Sequence, residues 1–180
     1  MKFMVERVVV FDVETTGLYP ERGDRIIEIG AVAVKEGTFK EEFHSLIYVE
    51  RHIPIAARKI HGISDAMIED KPRADEVILG FRAFIGDSVL VAHNARFDVR
   101  FLKYEFARLG LRFRNSWLCT KRLAERHCRG LPDYRLDTVY RYLFGGLPDD
   151  VRRHRAMDDA RLTADVWMEL RQRAGIGIIP

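Results

Sequence analysis

Cysteine is nearly absent. The 180 residues hold two, Cys119 and Cys128, nine apart and with no second pair at metal-ligand spacing. That excludes a disulfide-stapled scaffold and makes a reducing cytoplasm the expected compartment. Long apolar runs are missing too. No stretch approaches the ~20 residues of a membrane helix. Glu6 and Arg7 interrupt the opening MKFMVERVVVF before a signal-peptide core can lengthen. No internal repeat, low-complexity tract or linker divides the chain. What is present is 47% apolar and 32% charged residues in 20.9 kDa. This composition suits one buried core under a polar surface, and a single domain over 1–180 is expected.

The net charge of +3 is unevenly spread. From Arg96 to Arg135 there are eleven Lys or Arg against four Asp or Glu, a local +7, so the remainder is acidic. Twenty-three of the thirty basic residues are Arg, whose planar fork suits phosphate oxygens. Such a stretch fits nucleic-acid contact, and it fits a solvated basic helix face equally well.

Val8-Val9-Val10-Phe11, running into Asp12-Val13-Glu14 and Thr15-Thr16-Gly17, reads as a buried strand ended by a polar turn. Ile26 to Val34 and Phe39 to Val49 are two more strands, with Lys35-Glu36-Gly37 as a hairpin link. Ala74 to Ile85 and Phe97 to Leu109 carry helical periods on either side of a short strand, Ser88 to Ala92. Trp117 to Cys119 is one further short strand before a helix from Lys121 to His127. Asp137 is read as the N-cap of a helix over Thr138–Leu143 that Gly145-Gly146 stops. The last helix is expected over Asp158–Leu170. A strand meander followed by alternating helix and strand implies one mixed sheet with helices packed on it.

Three stretches carry residues suited to chemistry. Asp12 and Glu14 end an apolar strand, and side chains two apart share a face. Two carboxylates ~4 Å apart at an effective dielectric of ~20 repel by about 4 kcal/mol. Either a divalent cation offsets this, or the strand has left the core and both acids are solvated. In Val91-Ala92-His93-Asn94-Ala95-Arg96-Phe97-Asp98, a strand runs into a helix with Asp98 in the first turn. The helix dipole favours an acid there, so function and capping are both open. In His154-Arg155-Ala156-Met157-Asp158-Asp159-Ala160, a histidine precedes two acids. That suits a general base beside a metal ligand, or simply a helix start, and spacing does not choose between Asp158 and Asp159. His44, His52, His61 and His127 are isolated, and packing is the default for most of them.

Taken together, these stretches resemble the three motifs of the DEDDh, or DnaQ-like, 3′–5′ exonucleases. Ile53 to Ile63 and Pro72 to Ile85 also read like that family, so the resemblance covers roughly Val8 to Leu170. It implies a ribonuclease-H-like exonuclease fold, α/β, with a mixed sheet flanked by helices. It also implies that Asp12, Glu14, Asp98 and Asp159 hold two Mg²⁺ or Mn²⁺ ions, with His154 as general base. The family's last motif selects Asp159 and leaves Asp158 on the helix surface. The sister class places a tyrosine four residues before the last acid, where this chain has Arg155. Thr15, Thr16, Gly17, Leu18, His61, Asn94 and Phe97 are the substrate-binding positions that the resemblance implies. One departure is Cys119-Thr120, where many relatives carry Asp-Thr.

The expected substrate is a single-stranded or frayed 3′ end of DNA, released as nucleoside 5′-monophosphates. RNA ends are the alternative substrate, and a non-catalytic nucleic-acid-binding module is the alternative of another class. The family includes polymerase proofreading subunits, so a DNA polymerase is a candidate partner, and no membrane is expected.

Overall fold

The structure is a computed structural model and describes residues 7–35 and 37–175. The segment before Arg7 read for a leader, Glu36 in the hairpin link, and the residues after Gly175 lie outside the described residues.

Three strands form a meander: β1 (Arg7–Thr15), β2 (Ile26–Lys35) and β3 (Thr38–Leu46). Three helices follow, α1 (Ile55–His61), α2 (Asp65–Ile68) and α3 (Ala74–Ile85). Then come β4 (Val89–Ala92), α4 (Arg96–Arg108), β5 (Trp117–Cys119) and α5 (Thr120–His127). Helices α6 (Leu136–Phe144) and α7 (Ala156–Arg173) complete the order. The sheet runs β3-β2-β1-β4-β5. β1 pairs antiparallel with β2 and parallel with β4, so β1 is central.

The period of two along β1 assigns its faces. Val9, Phe11 and Val13 point into a core made with α3 and α4, through Phe81, Phe101 and Phe106. Val8 and Val10 point the other way, onto Met157, Ala160, Ala164 and Trp167 of α7. Asp12 and Glu14 continue that second row, so the acids emerge where α7 begins. Helix α7 is buried on two sides, because Leu162, Val166 and Leu170 pack instead against α5 and α6. Among the described residues no helix is long and apolar enough to cross a membrane.

Several expected boundaries move. The third strand stops at Leu46, three residues short of Val49, because Tyr48 leaves the ladder to bridge Arg73. Helix α6 starts at Leu136 with Arg135 at the N-cap position, so Asp137 sits inside the first turn and caps nothing. Burial of Leu136 in the α5–α6–α7 core explains the earlier start. Helix α7 starts at Ala156, two residues before Asp158. Its first N–H is satisfied by Glu28 of β2, a partner distant in sequence. Helices α1 and α2 have no counterpart in the sequence reading.

Candidate active site

Asp98 lies in the first turn of α4, which β4 delivers beside β1, and its Oδ1 accepts the Val13 N–H at 3.3 Å. That bond places Asp98 against the residue between Asp12 and Glu14. At the end of the sheet, side-chain atoms of Glu14, His154 and Asp159 all come within 4.8 Å of one another. Asp12 joins His154 and Asp159 in lining one cleft. The structure therefore brings together Asp12, Glu14, Asp98, His154 and Asp159. Asp158 turns away, accepting the Arg152 N–H at 3.0 Å and facing Arg161.

The cluster is electrostatically unsettled. Burial, then Asp98 and Glu14, hold the Asp12 carboxyl well above the usual carboxylate range. Burial, then Glu28 and Asp98, push Glu14 up to about 8. Burial pushes Asp98 up to about 7, against the opposing effect of backbone N–H groups. Acids this close ionise together only when cations are supplied. One cation comes from the chain, since the Arg153 guanidinium meets Asp159 Oδ1. Burial, then Arg153, lowers the His154 pKa, so its imidazole is neutral at pH 7. His154 adopts φ 60°, a left-handed conformation uncommon outside glycine, and its N–H donates to Asp159 Oδ2 at 3.2 Å. Carboxylate oxygens suit hard divalent cations, and the raised acids are the charge such ions would neutralise.

Two clefts flank the acids. One, of about 370 Å³, is lined by Glu14, Thr15, Thr16, Gly17, Leu18, His61 and Phe97, with Ala56, Ala57 and Ile60 of α1. His61 Nδ1 accepts the Ile63 N–H at 3.0 Å, which leaves the proton of the neutral ring on Nε2. That buried Nε2 makes no hydrogen bond of good geometry, although it lies on the Thr15 carbonyl side. Hydroxyls here are already committed: Thr15 Oγ1 donates to Gly17 O at 2.6 Å, and Thr16 Oγ1 accepts the Arg25 N–H at 3.0 Å. Gly17 leaves room for the Asp24 carboxylate, since a Cβ would stand 2.4 Å from its Oδ2.

The other cleft, of about 570 Å³, is polar and includes Asp12, Asn94, Lys121, Arg135 and Arg153. Asn94, at φ 62°, is exposed and caps nothing with its side chain, though its carbonyl accepts the Phe97 N–H. The positions expected to bind substrate thus divide, Asn94 in the polar cleft and the others in the apolar one.

The parts played by Glu28, Arg153, Arg155 and the half-buried His93 are not legible in the sequence. His93 bridges Thr120 Oγ1 at 2.9 Å and Tyr134 O at 2.8 Å, and burial lowers its pKa to about 4. For Glu28 a signal did exist, one acid inside the apolar run Ile26-Ile27-Glu28-Ile29.

Sheet order, flanking helices and acid cluster are those of a ribonuclease-H-like nuclease. The model of the exonuclease family RNase_T matches residues 9–167, and the chain belongs to that family. The chain is 42% identical over 172 residues to the PolC-type DNA polymerase III of Thermotoga maritima, covering 93% of this chain but 12% of that protein. To the DNA polymerase III epsilon subunit of Aquifex aeolicus it is 37% identical over 163 residues, or 90% and 79% of the two chains. Exonuclease X, solved in complex with 5′-overhanging duplex DNA, superposes with a TM-score of 0.76. It is 31% identical, with 94% of both chains covered.

Proposed function

We propose that this exonuclease removes nucleotides from single-stranded or frayed 3′ ends of DNA, releasing nucleoside 5′-monophosphates, with two Mg²⁺ or Mn²⁺ ions. The observation that carries the reading is the gathering of Asp12, Glu14, Asp98, Asp159 and His154 where an apolar and a polar cleft meet. The four acids would hold the ions, which supply Lewis acidity at the scissile phosphate and lower the pKa of a bound water.

The chain's own groups do the rest. An imidazole nitrogen of His154, neutral at pH 7, takes the proton of the attacking water. Water oxygen bonds to phosphorus while the bond to the 3′ oxygen breaks, and that oxygen takes a proton from solvent, leaving a shortened strand with a free 3′ hydroxyl. The apolar cleft receives the terminal nucleotide, with Phe97 and Leu18 against sugar and base and His61 in its wall. Lys121, Arg135 and Arg153 face the phosphates of the strand from the second cleft. Such contacts fix position without reading sequence.

Residues 1–180 act as one exonuclease domain in this account. Relatives named as a PolC-type DNA polymerase III and as a DNA polymerase III epsilon subunit support a proofreading role beside a DNA polymerase. Free thiols at Cys119 and Cys128 suit the cytoplasm.

The test is digestion of 3′-end-labelled DNA and RNA, single- and double-stranded, with each metal. Mononucleotide release from DNA supports the proposal. Preference for RNA makes the enzyme an exoribonuclease, and binding without cleavage makes it a non-catalytic module.

A further inference from the structure

Helix α7 lacks a local cap. Its N-cap residue, Arg155, makes no side-chain cap hydrogen bond. The acceptor comes from β2. Glu28, fully buried, takes the Ala156 N–H on Oε2 at 3.1 Å. The same carboxylate accepts Arg155 Nη2 at 2.7 Å and Nε at 3.1 and 3.2 Å. From β3, His44 Nε2 lies 2.8 Å from its Oε1. Two residues along, Gly30 lets the helix touch the strand, since a Cβ there would stand 2.3 Å from backbone atoms of Ala156 and Met157. Glu28 and Gly30 thus form a seat on β2 for the start of α7. In the β1–β2 register, Glu28 is paired with Glu14.

The seat brackets the reactive residues. His154 immediately precedes Arg155, and Asp159 lies one turn beyond it, closing that turn with its N–H on Arg155 O at 2.9 Å. The left-handed backbone of His154 persists only where its surroundings fix it. On one side the fixing contact is Asp159 Oδ2, and on the other it is Glu28 through Arg155 and Ala156. Stability alone does not require a buried ion pair, because an apolar pair of similar volume often serves as well.

We propose that Glu28 is a positioning residue, which sets where His154 and Asp159 stand relative to Glu14 by holding Arg155 and the first turn of α7. This rests on the reading that His154 and Asp159 act in the reaction.

The test compares wild type, Glu28→Gln, Arg155→Met and the double variant, as full chains. Rates are single-turnover, per folded molecule and below the melting transition, so lost stability does not register as lost rate. Mn²⁺ affinity is measured by calorimetry without DNA. The singles should melt lower, and the double should regain part of that loss, because the Arg155 charge no longer faces a side chain that has lost its own. The rate should nonetheless stay down ~10–100-fold in the double and in Glu28→Gln, with Mn²⁺ binding weakened and KM for DNA unchanged. Glu28→Gln keeps the shape of the side chain and decides alone if the double does not fold. Asp159→Asn serves as the control. If it still cleaves, the proposed function fails. If it is inactive while Glu28→Gln matches wild type in rate and Mn²⁺ affinity, Glu28 is merely structural and the inference is overturned.

Discussion

Replacing Gly30 by alanine should damage both stability and catalysis, by amounts the geometry sets. The added Cβ would lie 2.3 Å from the Ala156 carbonyl carbon and from Met157 N, and 2.4 Å from Met157 Cα. Ordinary contact begins near 3.4 Å, so β2 and α7 must separate by roughly 1 Å. All three atoms are backbone, and no rotamer change relieves the clash. Overpacking of this kind costs ~1–3 kcal/mol, and rigid backbone on both sides puts this site at the upper end. For a domain of this size, about 3 kcal/mol lowers Tm by ~6–12 °C. The same retreat carries Asp159 away from Glu14, and a misplacement of ~1 Å costs ~10²-fold in rate. Urea denaturation with an unchanged m-value, together with single-turnover cleavage per folded molecule, measures both effects. Gly80→Ala is the control: its Cβ meets only the Phe43 ring at 3.6 Å, and helix propensity should stabilise it by up to ~1 kcal/mol. A Gly30→Ala protein within ~0.5 kcal/mol of wild type and at its full rate would refute the reasoning.

The acid cluster also predicts a pH dependence. Asp12, Glu14 and Asp98 have folded-state pKa values raised above their unfolded ones, so they oppose folding once pH exceeds the unfolded values. That opposition grows up to about 7 for Asp98 and about 8 for Glu14. Metal-free protein should therefore melt lower at pH 8.5 than at pH 6. Millimolar Mn²⁺ should raise Tm and shrink the difference, but not in Asp12→Ala; a flat metal-free profile would contradict the clustering. His154→Ala should keep Mn²⁺ binding while slowing the chemical step by roughly 10²–10⁴-fold, with partial recovery above pH 8 as solvent hydroxide replaces the base. A near-normal rate per folded molecule would remove His154 from the mechanism. Asp158→Asn should stay within a few-fold of wild type, and loss of turnover there would contradict the direction in which Asp158 points.

Much of this was legible because it is periodic or local. Alternation along Val8–Glu14 assigned the two acids to one face, and three- and four-residue spacings marked α3, α4 and α7. Helices α1 and α2 escaped because they are short and do not bury an apolar stripe. Ile55 and Ile60 are 71% and 58% exposed, and α1 lines the cleft rather than the core. The start of α7 is not legible locally because its cap is Glu28, 128 residues away. An acid in an apolar strand is conspicuous in a sequence, but its partners Arg155 and His44 become visible only once the chain has folded. Arg153 escaped for the same reason, one basic residue among several around His154.

The central claim is that the acid cluster hydrolyses DNA from the 3′ end. Its most direct test is a single-stranded DNA labelled at its 3′ terminus and digested with Mg²⁺, wild type beside Asp159→Asn. Wild type should release labelled 5′-mononucleotide as the first product, and the variant none. Internal cleavage, release from the 5′ end, or equal activity in Asp159→Asn would contradict it.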